Sequence, residues 1–211
     1  TAFGDIGIVG GQMLREPKGL RKVEDWYMAG ATEEGRKILK AIFDAEIKIG
    51  LKNLEAVYDA IGDYADVVYM CGTDFGTQRS PFLSTESFME VYWSYYKESC
   101  GWVHENTKWA TFKHCCGSIV PLIDPFIDAG FDCLNPVQWT AENMDRQMLK
   151  NRFGDRIVFW GAGIDTQYLF PNGTAEEVYE QALECCRIFG KGGGFVFNTI
   201  HNIVPGVPAA N

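Results

Sequence analysis

The residues best suited to chemistry are His114 and Cys116, separated by Cys115 in the run Lys113-His114-Cys115-Cys116-Gly117. In extended chain, residues two apart point the same way, so imidazole and thiolate converge while Cys115 faces the other side. Nitrogen and sulfur donors suit zinc, and a catalytic zinc site uses three protein ligands and keeps one position open. The third ligand must come from another chain segment. His201 is the best candidate, with Asp74 or Gln138 available to complete the shell. The competing reading of the same pair is a buried thiol beside a hydrogen-bonded histidine.

Other polar residues follow short apolar runs in the same way. Gly72-Thr73-Asp74-Phe75-Gly76-Thr77-Gln78 follows Val67-Val68-Tyr69-Met70. Asn135 and Gln138 follow Leu134, Gly163 and Asp165 follow Phe159, and Asn198, His201 and Asn202 follow Phe197. In parallel α/β folds reactive groups gather beyond the carboxyl ends of the strands, so these sets would share one face. Asp74, flanked by glycines, either binds a substrate cation or amine or caps its own turn. Asp165 carries the same two readings. His104, before Glu105, reads as a surface or capping residue.

The elements that must position these groups are legible from their periods. Asp66–Met70, Trp109–Phe112, Cys133–Val137, Ile157–Trp160 and Phe195–Phe197 are apolar on both faces, as strands buried in a parallel sheet are. Helical periods run over Thr32–Ile61, Ser84–Val103, Ile119–Ala129, Ala141–Asn151 and Thr174–Phe189. Thr32, Ser84 and Thr174 offer N-caps before acidic first turns, and Gly62, Gly130, Gly154 and Gly190 fall where left-handed C-caps belong. Alternating strands and helices without a hairpin signal predict an α/β fold with a parallel sheet, either a barrel or an open doubly wound sheet. The open sheet with a dinucleotide site is disfavoured, because Gly161-Ala162-Gly163 lacks the third glycine, Thr166 standing in its place. Gly190-Lys191-Gly192-Gly193-Gly194 lies between a helix and a strand, the wrong side for a phosphate cradle. Tyr92, Trp93, Tyr95 and Tyr96 follow helical spacing and read as core or subunit interface.

Composition narrows the partners. The 211 residues are 46% hydrophobic and 22% charged, with a formal charge of −9, the balance of one globular domain. Without a basic cluster, nucleic acid and an anionic membrane surface are poor partners, and a small molecule or a protein is favoured. No apolar run reaches the roughly 18 residues of a membrane span, and Thr1–Glu16 lacks a signal-peptide layout, which predicts a cytoplasmic protein. Seven cysteines, with adjacent pairs at Cys115-Cys116 and Cys185-Cys186, predict reduced thiols rather than a disulfide framework. Cys185 and Cys186 diverge on their helix and do not share a metal.

Taken together, seven blocks resemble the uroporphyrinogen decarboxylase superfamily. They are Thr73–Gln78, Ser84–Tyr96, Lys113–Ser118, Leu134–Gln138, Phe153–Arg156, Trp160–Gln167 and His201–Pro208, in collinear order over nearly the whole chain. The resemblance implies a (β/α)8 TIM barrel with its site at the C-terminal mouth. It also implies one of two chemistries. Decarboxylases of this kind need no cofactor; zinc-dependent methyltransferases move a methyl group between a corrinoid protein and a thiol or tetrahydrofolate acceptor. The N-terminal arginine and aspartate motifs of the decarboxylases do not occur here, and the segment Gly10–Glu16 has Gln12, Met13 and Leu14 where they carry a tyrosine. The methyltransferases carry His-x-Cys and a distant cysteine; His114 and Cys116 match the first two, and His201 would replace the third.

The resemblance therefore favours the methyltransferase, with His114, Cys116 and His201 as zinc ligands and His201 and Asp74 as catalytic residues. Gln78, Asn135, Gln138, Gly163, Asp165 and Asn202 would bind substrate, and a corrinoid protein would be the partner. In the decarboxylase alternative Asp74 would steady the pyrrole nitrogens; a barrel without catalysis is a third reading. Barrels of this family often pair, which makes a homodimer the expected assembly. A full barrel takes about 250 residues, and five clear strands with a weaker one at Ile6–Val9 fall short of eight. Residues 1–211 are thus expected to form the later part of one barrel domain, lacking its first two or three strands.

Overall fold

The computed structural model describes residues 2–3 and 23–211. Its centre is a six-stranded, all-parallel sheet in sequential order: β1 (Ala2–Phe3), β2 (Val67–Cys71), β3 (Ala110–His114), β4 (Cys133–Asn135), β5 (Val158–Ala162) and β6 (Phe195–Asn198). Every neighbouring pair is parallel. Sequential parallel strands joined by helices are the connectivity of a (β/α)8 barrel, and this sheet matches part of one. The expected strand at Ile6–Val9 and the segment Gly10–Glu16 lie outside the described residues.

The helices are α1 (Val23–Ala31), α2 (Glu33–Ile61), α3 (Thr85–Phe88), α4 (Ser94–Asn106), α5 (Val120–Ala129), α6 (Arg146–Phe153), α7 (Leu169–Asn172) and α8 (Ala175–Phe189). The Thr32, Ser84 and Thr174 hydroxyls each accept an N–H of the following turn, as their sequence positions require. At Thr174 the bond is reciprocal, because Glu177 reaches back to the cap backbone.

Several expectations are corrected. Of the four proposed C-cap glycines only Gly130 is left-handed, at φ 99°; Gly62, Gly154 and Gly190 keep right-handed helical backbone. The stretch expected as one helix over Ser84–Val103 carries a π-helical turn at Met89–Trp93 between α3 and α4. The helix expected from Ala141 begins at Arg146, because the Asp145 carboxylate caps it by accepting the Met148 N–H. The segment α1 was not anticipated. Its two core residues, Trp26 and Ala29, make too short an apolar stripe to declare a period.

The two faces of the sheet differ. Val68, Met70, Thr111, Lys113, Leu134 and Phe159 point towards the helices and are fully buried or nearly so. Tyr69, Phe112 and Trp160 stand on the opposite, inner face, with Tyr69–Phe112 centroids 5.4 Å apart and Phe112–Trp160 5.2 Å apart. Behind β2 and β3 lies an aromatic core of Phe75, Phe88, Tyr92, Tyr96, Phe126 and Phe131. Tyr92, Tyr95 and Tyr96 are therefore core residues. All seven cysteines are free thiols, with Cys185 buried and Cys186 exposed on α8. No helix among the described residues is long and apolar enough to cross a membrane.

Removing the hydroxyl cap of α8 tests how much this helix depends on its own N-terminus. Thr174→Ala should lower the unfolding free energy by about 1 kcal/mol in urea denaturation. Glu177→Gln, which keeps a reciprocal acceptor, should cost less.

Candidate metal centre

Two loops that leave adjacent strands build the centre. The loop after β2 carries Asp74, and the end of β3 carries His114 and then Cys116. A register shift between Tyr69 and Cys71, opposite Phe112 and Lys113, displaces the end of β2. Beyond it the loops touch backbone to backbone. A Cβ on Gly76 would lie 2.4 Å from the Cys116 carbonyl oxygen, and one on Gly117, at φ 87°, would lie 2.6 Å from the Gly76 carbonyl carbon. Both positions must therefore be glycine. The Cys116 N–H donates to Asp74 Oδ1 at 2.7 Å, the Phe75 N–H to Cys115 Sγ at 3.2 Å and the Ser118 N–H to the Thr77 carbonyl at 2.8 Å.

This contact gathers three donors. One ligand atom each from Asp74, His114 and Cys116 lies within 4.8 Å of the others. His114 Nε2 is 3.3 Å from Cys116 Sγ and 3.7 Å from Asp74 Oδ1. Asp74, rather than the His201 expected as third ligand, completes the group; His201 stands outside it and lines a neighbouring cavity. The reason is topological: Asp74 leaves a strand hydrogen-bonded to that of His114, whereas β6 is three strands away from β3.

Asn135, at the end of β4, fixes the tautomer of His114. Its Nδ2 donates to the Trp160 carbonyl at 2.9 Å, which can only accept, so its Oδ1 faces His114 Nδ1 at 2.6 Å. Nδ1 therefore carries the proton and Nε2 presents its lone pair to Cys116 and Asp74. Such an outer hydrogen bond is what orients metal-binding imidazoles. Asn135, expected to bind substrate, has its amide engaged by His114 and Trp160 and also lines the cavity beside His114.

Burial pushes the His114 imidazole below its ordinary value, and the Asn135 bond and the Asp74 carboxylate oppose this without reversing it. His114 near neutral pH is thus a neutral ligand, and its contact with Asp74 is not an ion pair. Burial first, then the Asp74 charge, pushes the Cys116 thiol up to about 12. Cys116 therefore holds its proton near neutral pH.

The remaining expected site residues fall into three groups. Gln138 accepts the Gly117 N–H at 2.9 Å and donates to Gln78 Oε1 at 3.1 Å, which ties the loop after β4 to both metal-centre loops. Val137 before it is held at φ 59°, a strained conformation for a β-branched residue that directs Gln138 inward. His201 and Asn202 line two adjoining cavities of about 430 and 400 Å³, the first shared with His114 and Asn135, the second with Gln138 and Thr166. Gly163 and Asp165 have local structural partners. The Gly163 N–H donates to the Asn198 carbonyl at 2.8 Å, and the Asp165 carboxylate accepts N–H groups of Gln167, Tyr168 and Leu169 at the start of α7. Tyr69, which stacks on His114 at 6.2 Å, was not singled out; nothing in a lone strand tyrosine marks it. His104, read as a surface or capping residue, pairs with Asp132 at 2.8 Å below the opposite end of the sheet.

Residues 26–211 match the family model described as Uroporphyrinogen decarboxylase (URO-D). A protein named Uroporphyrinogen decarboxylase from Psychromonas ingrahamii is 34% identical over 89 residues, 42% of this chain and 23% of that protein. One of the same name from Saccharophagus degradans is 32% identical over 85 residues, 40% of this chain and 22% of that protein. A solved structure of a methyltransferase from Methanosarcina mazei aligns with TM-score 0.60 and 18% identity over 90% of this chain and 51% of the other. The chain thus spans about half the length of that structure, and its matched stretches span under a quarter of the two sequence relatives. The structural likeness establishes the fold.

The depressed imidazole gives a signed pH test. Unfolded chain binds a proton on His114 below about 6.5, whereas the folded protein keeps that ring neutral further into acid. Stability contributed by His114 burial is therefore intact above that pH and falls as pH drops below it. The urea midpoint should fall between pH 7 and pH 5, and less so in His114→Gln.

Proposed function

The chain belongs to the uroporphyrinogen decarboxylase family, and from that premise we propose that it is a zinc-dependent methyltransferase, serving a thiol or tetrahydrofolate acceptor and a methylated corrinoid protein. The observation that carries this reading is the convergence of Asp74, His114 and Cys116 within 4.8 Å. One oxygen, one nitrogen and one sulfur donor, with the imidazole already oriented by Asn135, fit a three-ligand zinc site with an open position. Zinc bound there would supply Lewis acidity, holding an acceptor thiol as thiolate at neutral pH.

The chain's own residues set up that chemistry. Asn135 holds the His114 lone pair towards the centre, and Cys116 gives up its proton as the cation enters. Gln138 keeps the loops after β2, β3 and β4 in one arrangement through Gln78 and Gly117. A methylated corrinoid partner would supply the methyl group and keep the electron pair of the bond it breaks, the acceptor's lone pair would form the new bond, and a thiol acceptor's proton would leave beforehand, as the thiol binds as thiolate. His201, on the cavity wall shared with His114, is positioned to take up that proton.

The names of the two sequence relatives favour a second reading, decarboxylation of uroporphyrinogen, in which Asp74 faces the pyrrole nitrogens. Activity separates the two. Methyl transfer from methylcobalamin to a thiol supports the first; formation of coproporphyrinogen without added metal supports the second and overturns the first.

Metal content gives a further prediction. Purified protein should hold about one zinc per chain by elemental analysis, and zinc titration at pH 7 should release about one proton, that of Cys116. Cys116→Ala should lose the metal, and Asn135→Ala should weaken its binding by about 10- to 100-fold. Protein that takes up no zinc would sink this reading.

A further inference from the structure

Directly behind the metal centre stands a lysine to which none of the foregoing chemistry gives a role. Lys113 precedes His114 on β3 and points to the helix side of the sheet, where it is fully buried. Its Nζ donates to the Thr73 carbonyl and to the His114 carbonyl, both at 2.7 Å. The rings of Phe75, Tyr96 and Phe126 enclose it at 5.1, 5.5 and 5.6 Å. The ammonium is thus satisfied by two carbonyl oxygens and three aromatic faces rather than by a carboxylate.

Burying an ammonium is unfavourable unless its N–H groups are met by well-placed acceptors. Aromatic faces compensate part of the lost hydration, but they do not replace directional acceptors. The two carbonyls are thereby held at fixed positions around Nζ. They belong to the residue before Asp74 and to His114 itself, one on each loop of the metal centre. Lys113 also sits opposite Cys71, where the β2–β3 register shifts and the Asp74 loop is turned towards the site.

We infer that Lys113 is the positioning residue of the metal centre: its ammonium clamps the Asp74 loop to the His114 strand end and so sets the separation of the donors. This rests on the zinc-site reading for its metal readout, although the clamp acts on the protein without metal as well. A neutral side chain of similar length would fill the aromatic cage but leave both carbonyls without their shared donor. The loops would keep the Cys116–Asp74, Phe75–Cys115 and Ser118–Thr77 bonds, the Gln138 bridge and the glycine contact, but lose the one tie that joins the backbone beside Asp74 to that of His114.

The test compares wild type, Lys113→Met and Phe153→Leu. Phe153 is equally buried and belongs to none of the Lys113 contacts, so it controls for general loss of stability. Two quantities are read: the amide resonance of Cys116 in metal-free protein, which reports its 2.7 Å bond to Asp74, and cobalt(II) binding with its visible absorption spectrum. Lys113→Met should move the Cys116 amide and weaken cobalt binding by about 10- to 100-fold with an altered spectrum, whereas Phe153→Leu should do neither. An unmoved Cys116 amide in Lys113→Met overturns the inference whether or not metal binds. Wild type that binds no cobalt, with the amide still displaced in Lys113→Met, overturns the zinc reading and leaves the clamp standing. Should Lys113→Met not fold, the wild-type Lys113 15Nζ resonance is followed instead. It should shift in Asp74→Asn, and an unchanged resonance overturns the inference.

Discussion

Two loops can approach closely enough to share a site only where neither backbone carries a side chain at the point of contact. Gly76 and Gly117 meet that condition, and the hydrogen bonds from Cys116 to Asp74 and from Ser118 to Thr77 close the gap on either side of them. Everything proposed for the centre depends on this contact. The donors come from different strands, and their separation is governed by this backbone packing together with the Lys113 ammonium that bridges the two loops behind it.

The sheet prepares that contact. Parallel strands in sequential order bring their carboxyl ends to one edge, so the loop after each strand meets the loop after the next. On the helix side, Phe75 and Phe126 meet Phe88 edge to face and Phe75 meets Tyr92 in the same way, while Phe88, Tyr92 and Tyr96 stack on one another, which fixes α3, the π turn and α5 against β2 and β3. On the inner side, Tyr69 continues the stack of Phe112 and reaches the His114 ring. The imidazole is therefore held by a ring below it, an amide at Nδ1 and its own strand. That rigidity suits a ligand that must present one nitrogen in one direction.

The electrostatics follow from the same burial. A neutral histidine and a protonated thiol are what a water-poor pocket selects when no cation is near, and a divalent cation reverses the second preference. Asp74 bonds to the Cys116 N–H and faces the His114 lone pair, so its charge lies where a cation would be drawn. The pocket is thus selective in its protonation before it is selective in its ligand.

Local patterning in the sequence was enough to determine the alternating α/β order, the five strands from β2 to β6, the hydroxyl caps at Thr32, Ser84 and Thr174, and the convergence of polar residues at strand ends. These depend on period and on residue type within one turn or one strand, so neighbours along the chain settle them. His114 and Cys116 were legible for the same reason, being two apart in extended chain. The short helix α1, the π turn and the start of α6 were not, because tertiary burial and a single capping carboxylate outweigh propensity there. The grouping of Asp74 rather than His201 with His114 and Cys116, the bond that holds Asn135 to His114 and the buried ammonium of Lys113 belong to the tertiary structure alone. Each depends on which strands are neighbours and how their loops touch, and contacts between residues 21 to 42 positions apart leave no mark on local sequence pattern.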